Sequence, residues 1–445
     1  MARDNLDALL ETAADAVRLA LAKGAADCAA RAYRVRDVSV QWRDGRLEQI
    51  NEATTRGVGL QLYVEGRYSA VTTSDLRPEA LAAFVEDAVA MTRVLEKDPF
   101  RTLPEPALYA GRADMDLQVE DPAYADLTPE TRRRLAREVE EGARAVEGAG
   151  AILSVTAGFS DNRSEVARVH SNGFSGARAE TSFWAFAETT VKDADGRRPA
   201  DWDAAGVRYF AELPAVPEIG ARAARRALSR IGSAKAESGV LSMAVDNRSA
   251  GRLVAALTGP LSGQSLQQKR SFLEGRKGAS IGSPLLELLD DPFLPKAFGS
   301  RLWDGEGLAA KQLPIFDAGR LANYYIDTYY GKKLGLPPTT GGSSNLVLAP
   351  GALSADELLA RMGEGILVTG FLGGNSNATT GDFSLGVQGF RVRGGRAAEP
   401  VGEMNISGNL AELWQTLVAV GNDPYPYSSV RVPTLVFDGV HFAGV

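Results

Sequence analysis

Apolar and polar positions divide this chain into stretches of two periods. From Asn5 to about Lys23 apolar residues recur at helical spacing with acids set among them, which predicts an amphipathic helix. From Asp27 to Ser74 the period shortens to strict alternation, punctuated by Asp44-Gly45, Gly57, Gly59 and Glu65-Gly66, and predicts a β-meander that turns at those points. Pro78 then opens a second helix, EALAAFVEDAVAMTRVLEK, at a first-turn position where its missing N–H costs nothing. After a Pro-containing connector from Asp98 to Glu130, Thr128 is placed to cap a third amphipathic helix running to about Glu147. A second meander starts at Ala151 and a helix from Val216 to Ile231 follows it. Asp44, Glu48 and Gly59 answer to Asp161, Glu165 and Gly176 at one constant offset, which suggests a duplicated unit of helix, meander and helix.

The texture changes beyond Gly232. Strand-like runs such as SGVLSMAVD, SNLVLAP and VPTLVFDGVHFAG dominate, with one long helix expected from about Ser249 to Lys269. The segment from Gly232 to Gly239 reads as a linker, so the expected fold is α+β in two domains, with helix and β-meander repeats over 1–232 and a Gly-rich, mainly β domain over 239–445. Within the latter, Gly363 to Leu410 places Gly every few residues between short β-type runs, with Asn and Thr interleaved. Two readings fit this stretch. Its glycines can supply turns to a set of β-hairpins, or they can leave an open sheet edge along which an extended peptide lies, held by main-chain hydrogen bonds.

Charge narrows the partners. With 49 Lys and Arg against 56 Asp and Glu, the net charge is −7, and no basic face is available to displace counterions from a nucleic acid. No window approaches 18 uncharged apolar residues. The N-terminal stretch has acids within its apolar pattern and reads as a helix of the mature protein rather than as a signal peptide. The single cysteine, Cys28, rules out an internal disulfide and suits a reducing compartment, so a cytoplasmic location is expected.

Candidate chemistry is sparse. The two histidines, His170 and His441, stand at no zinc-ligand spacing to one another or to Cys28, which reads as a small buried apolar residue. No phosphate-binding Gly-x-x-x-x-Gly-Lys-Ser/Thr loop occurs. Gly278-Ala279-Ser280-Ile281-Gly282 has the spacing of a nucleophile elbow, with Asp438 and His441 downstream, but it lies in a turn-rich loop after a helix, where a plain loop is the better reading. Asp290, Asp291, Asp304, Glu306, Asp382 and Glu403 could assemble an acid cluster, although Asp-Gly and Asp-Pro pairs form turns first. Tyr324-Tyr325 and Tyr329-Tyr330 flank Asp327 and fit either a pocket lining or core packing with hydroxyls at the rim.

Several spans carry a resemblance. SFLEGRKGASIGSPLLELLDDPFLPKAFGSRLWDGEGLAAKQLPIFDAGRLANYYIDTYYGKKLG from Ser271 to Gly335, GILVTGFLGGNSNATTGDFSLGVQGFRV, PVGEMNISGNL and VAVGND resemble the TldD/PmbA family of metallopeptidase-related proteins, as does the GRLEQINEATTRGVGLQLYVEGRYSAVTTSD meander more weakly. In the TldD branch a helix carries His-Glu-x-x-x-His, and a cysteine near the C-terminus completes a zinc site. Here Ala255, Ala256 and Pro260 stand where the first His, the Glu and the second His would lie, and the C-terminal half has no cysteine. None of the three can bind zinc or accept a proton.

That departure is the pattern of the PmbA branch, also called TldE. The resemblance therefore implies a metal-free subunit with no cofactor of its own, paired with a TldD-like subunit that holds zinc. Family members are linked to trimming leader peptides, including that of a gyrase-targeting microcin, and to turnover of unfolded antitoxins, so the family's gyrase-modulator label would be indirect. An extended peptide is the implied substrate, with no direct nucleic acid and no membrane. Gly370, Asn375, Asn377, Asp382 and Asn405 are the expected contacts to peptide or partner. Two rivals remain at this point, an independent hydrolase built on Asp304, Glu306 and Asp382, and a peptide-binding adaptor without catalysis.

Overall fold

The two helix-and-meander units build one antiparallel sheet. The computed structural model describes residues 2–445. In the first unit α1 (Ala2–Ala22) precedes β1 (Asp27–Arg43), β2 (Arg46–Val64) and β3 (Arg67–Thr73), and α2 (Pro78–Thr92) follows. The second repeats the order with α3 (Pro129–Arg144), β4 (Ile152–His170), β5 (Ser175–Val191), β6 (Ala200–Val207) and α4 (Val216–Leu228). The opening strand of each unit pairs antiparallel with the other, from Ala29↔His170 to Arg43↔Thr156, so the sheet runs β3-β2-β1-β4-β5-β6.

Alternation decides what each face meets. Ala30 and Ala32 of β1 join Leu60 and Leu62 of β2 under Ala13, Ala16 and Ala20 of α1, while Phe159 and Phe183 lie under Val139 of α3 and Ile219 of α4. On the opposite face Trp184 of β5 stacks on Phe298 of the C-terminal region, with ring centroids 5.1 Å apart. The sheet is thus covered by helices on one side and by the second domain on the other.

Some expected turns are elsewhere. Asp44-Gly45 and Glu65-Gly66 do form tight hairpins, with positive φ at both residues of each pair. Gly57 and Gly59, however, lie inside β2, and a Cβ at Gly57 would stand 2.7 Å from both the Thr73 carbonyl oxygen and the Tyr33 hydroxyl, so the glycine serves close approach instead of turning. Asp161-Asn162-Arg163 lies mid-strand in β4, whose own hairpin turns at Ser171–Gly173. The unit recurs, but the offset that suggested it does not map turn onto turn.

The expected helix from Ser249 to Lys269 is two helices. α5 (Asn247–Thr258) follows β7 (Gly239–Val245) and starts where the Asp246 side chain accepts from Ser249 N. It ends before Gly259-Pro260, because a proline ring clashes with the preceding turn, and Ser262 caps the short α6 (Gly263–Gln267). Next come β8 (Leu288–Asp290), β9 (Leu313–Asp317), β10 (Arg320–Leu321), α7 (Thr328–Leu334), β11 (Leu346–Leu348) and α8 (Ala355–Met362). The Gly-rich stretch forms β12 (Gly365–Ser376), β13 (Asp382–Arg393) and β14 (Arg396–Asn409), followed by α9 (Leu410–Gln415), β15 (Leu417–Val420), β16 (Val430–Arg431) and β17 (Leu435–Ala443).

These strands form a small sheet, β10-β9-β8-β11-β16, and a larger one, β14-β13-β12-β7-β17-β15. Asn405↔Ala443 and Ile406↔Phe442 join β14 back to β17, which closes five strands of the larger sheet into a ring. Met243, Val245, Leu253, Val254 and Leu257 belong to the large core that this ring shares with α5 and the smaller sheet. The fold is the α+β arrangement expected. No described helix is long and apolar enough to cross a membrane.

Candidate functional site

β12 is paired unequally on its two edges. On one it follows β13 from Gly365↔Val392 to Ser376↔Phe383, and on the other it meets β7 only at Ile366, Leu367 and Val368. From Thr369 onward the second edge has no strand beside it among the described residues, so the stretch holds both hairpins and an open edge. Glycine is required there: a Cβ at Gly374, at φ 97°, would stand 2.1 Å from the Ser384 carbonyl oxygen. Side chains brace the edge at two points, where Arg226 donates to the Thr369 carbonyl and Arg252 to the Gly374 carbonyl, each at 3.2 Å.

Beside this edge lies a cleft of about 500 Å³. Its floor is Thr369, Gly370 and Phe371 of β12 with Gln388 of β13, and α5 contributes Arg248, Gly251, Arg252 and Ala255. Asp201 and Trp202 come from β6 of the N-terminal sheet, and Tyr425, Ser428 and Val430 complete the wall. The cleft therefore sits at the junction of the two halves, a common place for ligand sites. Arg248 stacks on Trp202 at 4.2 Å from the ring centroid and pairs with Asp203 at 3.0 Å, whereas Arg252 is exposed and lies 5.8 Å from the Phe371 centroid.

The three positions expected to answer to the zinc motif diverge here. Ala255 is exposed and lines the cleft, Ala256 packs on the core, and Pro260 is buried beyond the end of α5. Their side chains offer no nitrogen, oxygen or sulfur, and no group of three His, Cys, Asp or Glu suited to a metal occurs among the described residues. Zinc does not fit this cleft.

Of the other expected contacts, Gly370 alone lines the cleft. Asn375 is exposed on β12 opposite Ser384. Asn377 accepts from Thr379 N at 2.9 Å in the turn that follows, and its own N–H donates to the Asp382 carbonyl. Asp382 accepts from Thr380 Oγ1 at 2.7 Å and Asn409 Nδ2 at 3.1 Å, bonds that hold its carboxyl below the usual range. Asn405 donates to Ser384 Oγ at 2.9 Å. Asn377, Asp382 and Asn405 thus brace the β12, β13 and β14 hairpins.

The six carboxylates do not assemble as one acid cluster, although Asp304 stands near enough to Glu306 to raise its pKa. Asp290 accepts from Tyr325 and Ser344, Asp291 from Gln312, and Asp304 from the backbone of Glu306 and Leu308, while Glu306 accepts from Thr328 N and Oγ1. Asp382 shares no partner with them, and Glu403 is an exposed positive-φ residue of β14. They are structural acceptors. The elbow is likewise absent, since Ser280 bridges to Arg320 in an extended loop and Asp438 accepts from Ser242. Tyr324 and Tyr325 are core residues, and Tyr329 donates to Asp98. His170 is buried against Tyr109 and Phe174, and its pKa falls to about 3 chiefly through burial.

Arg252 was legible in principle, three residues before Ala255 and so on the same helical face. Trp202 and Gln388 carried no such signal, because they arrive from distant strands.

Comparison with known proteins agrees with this architecture. Residues 28–92, 122–231 and 238–444 match, in that order, domain 1, the central domain and the C-terminal domain of the PmbA/TldA metallopeptidases. Metalloprotease PmbA of Escherichia coli O157:H7 is 30% identical over 435 residues, which span 96% of this chain and 94% of that protein. A structure from Bacteroides thetaiotaomicron described as a modulator of DNA gyrase superposes with a TM-score of 0.94 at 39% identity, covering 98% of both chains. TldE from Thermococcus kodakarensis shares the fold, with a TM-score of 0.86 at 19% identity over 97% of this chain and 100% of that one. The chain belongs to the PmbA/TldD metallopeptidase family.

Proposed function

We propose that this chain is the metal-free subunit of a two-subunit TldD/TldE-type metallopeptidase that acts on unstructured or leader peptides in the cytoplasm. The TldD-like partner supplies the zinc. The observation that carries the reading is that Ala255, expected where the zinc motif would begin, lines a cleft of substrate-sized volume beside an open strand edge.

The residues present suit a holding role. An extended peptide placed along β12 from Thr369 gains main-chain hydrogen bonds without demanding particular side chains. Phe371 and Trp202 supply apolar surface, and the exposed Arg252 gives the mouth a positive charge. The chain binds and orients the peptide, and bond cleavage falls to the partner.

The test is cleavage of an unstructured peptide by this chain, by a His-Glu-x-x-x-His-bearing relative, and by the two together, each with and without chelator. Activity confined to the mixture and abolished by chelator is the expected result. Chelator-resistant cleavage by this chain alone would overturn the reading, and binding without any gain in the partner's activity would make the chain an adaptor.

A further inference from the structure

Gln388 stands directly across from Gly370 in the β12–β13 pairing and lines the cleft. It is 8% exposed, and its buried Oε1 has no hydrogen-bond partner among the described residues. Buried acceptors are rarely left so, because the group keeps its desolvation penalty without compensation. Gly370 gives the amide its place: a Cβ there would stand 2.8 Å from Gln388 Nε2 and 3.2 Å from its Cγ.

Three neighbouring polar side chains of the cleft each have a partner. Arg248 pairs with Asp203, Arg252 donates to the Gly374 carbonyl, and Asn247 Nδ2 donates to the Asp423 carbonyl at 2.7 Å. The Gln388 amide offers one acceptor and one donor group and no charge. A peptide unit presents the complement of both, an N–H and a carbonyl.

We propose that Gln388 holds the main chain of a peptide in this cleft, its amide turning about the last side-chain bond so that the enclosed Oε1 accepts from a peptide N–H and Nε2 donates to a peptide carbonyl. The proposal rests on the peptide-holding function above and names the residue that performs it. Because it reads the main chain, the contact is indifferent to peptide sequence.

Fluorescence anisotropy of the full chain, alone and with its zinc-bearing relative, tests this with a labelled Gly-Ser-Ala peptide blocked at both ends and an N-methylated version lacking N–H donors. Gln388→Met is expected to weaken binding roughly five- to tenfold without lowering the melting temperature, since it removes an unpaired acceptor. N-methylation should weaken binding to the wild type and make little further difference to the variant. Gly370→Ala, which displaces the amide while leaving it in the chain, should mimic Gln388→Met in binding. Wild-type binding that Gln388→Met leaves intact, or a variant that loses binding only in step with its melting temperature, would overturn the assignment and leave the peptide reading standing. No binding by the wild type in either state would sink the peptide reading and the assignment together.

Discussion

Gly220 of α4 rests directly on the main chain of α3: a Cβ at Gly220 would stand 1.8 Å from the Val139 carbonyl oxygen. The contact is reciprocal, since a Cβ at Gly142 of α3 would stand 2.0 Å from the Pro217 carbonyl oxygen. The two helices therefore meet backbone to backbone above β4 and β5. Gly220→Ala is expected to force them apart at a cost of about 1–3 kcal/mol. Gly150→Ala, where nothing lies within 4 Å, should stay within about 0.5 kcal/mol of the wild type. Urea denaturation compares the two, and equal stability would show that the helices separate freely.

Arg132 and Asp161 form a buried bidentate pair, with Nε to Oδ2 at 2.5 Å and the terminal nitrogen to Oδ1 at 3.0 Å. Both side chains are almost wholly enclosed. Asp161→Asn leaves the guanidinium without its counter-charge and should cost about 3–5 kcal/mol. Replacing both partners with apolar residues should recover much of that loss. A thermal or chemical melt in which the single and double variants coincide would rule out this account.

Glu306 predicts a pH dependence. Burial, with Asp304 and Asp327 nearby, pushes its carboxyl up to about 7 from an ordinary 4.5, against the lowering effect of its bonds from Thr328. Between those values the folded chain keeps a proton that the unfolded chain releases, so this contribution is full below about pH 4.5 and is lost as pH rises through 7. The depressed His170 acts oppositely, removing stability as pH falls below its ordinary 6.5. Glu306→Gln should therefore gain on the wild type as pH rises through the first window and stay ahead above it. A stability difference that does not change with pH would refute the shift.

Ala255→His with Ala256→Glu does not restore a metal site. Pro260 lies past the end of α5, which stops at Thr258, and is buried away from the cleft where Ala255 emerges. Zinc bound to the purified double variant, measured by atomic absorption, should remain far below one equivalent. Stoichiometric zinc would mean that another ligand reaches the cleft.

Cys28 is fully buried in β1, and burial with Asp27 beside it pushes the thiol up to about 12. Almost none of it is thiolate at neutral pH, and the thiolate is the reactive form. A thiol reagent should label it only after denaturant unfolds the N-terminal sheet. Labelling of the native chain at the rate of a free thiol would contradict its placement.

Local signals were the legible ones. Asp44-Gly45 and Glu65-Gly66 announced their hairpins because left-handed φ angles select those residue pairs, and Thr128 announced α3, where its hydroxyl accepts from Thr131 N. Gly57 misled because its cause is Tyr33 and Thr73 on the flanking strands, which no local pattern shows. The break at Gly259-Pro260 was visible, but helical periodicity ran across it. At the cleft, the glycines of β12 signalled close approach without saying to what. Trp202 of β6 and Gln388 of β13 become neighbours of α5 only when the halves come together, and a single chain read in order carries no trace of such pairings.

The closure of β14 onto β17 also orders events in time. β7 lies between β12 and β17, so the strand that opens the C-terminal domain must wait through synthesis until Leu435–Ala443 has been made. The six-stranded N-terminal sheet draws only on residues up to Val207 and can form while the rest is still being translated, as domains usually do. During that interval β7 and the Gly-rich hairpins have unpaired edges, the condition most prone to sticking to other chains. A ribosome-bound intermediate stalled before Leu435 is thus the species for which chaperone contact is expected, and release of the segment carrying β17 is the step that ends it.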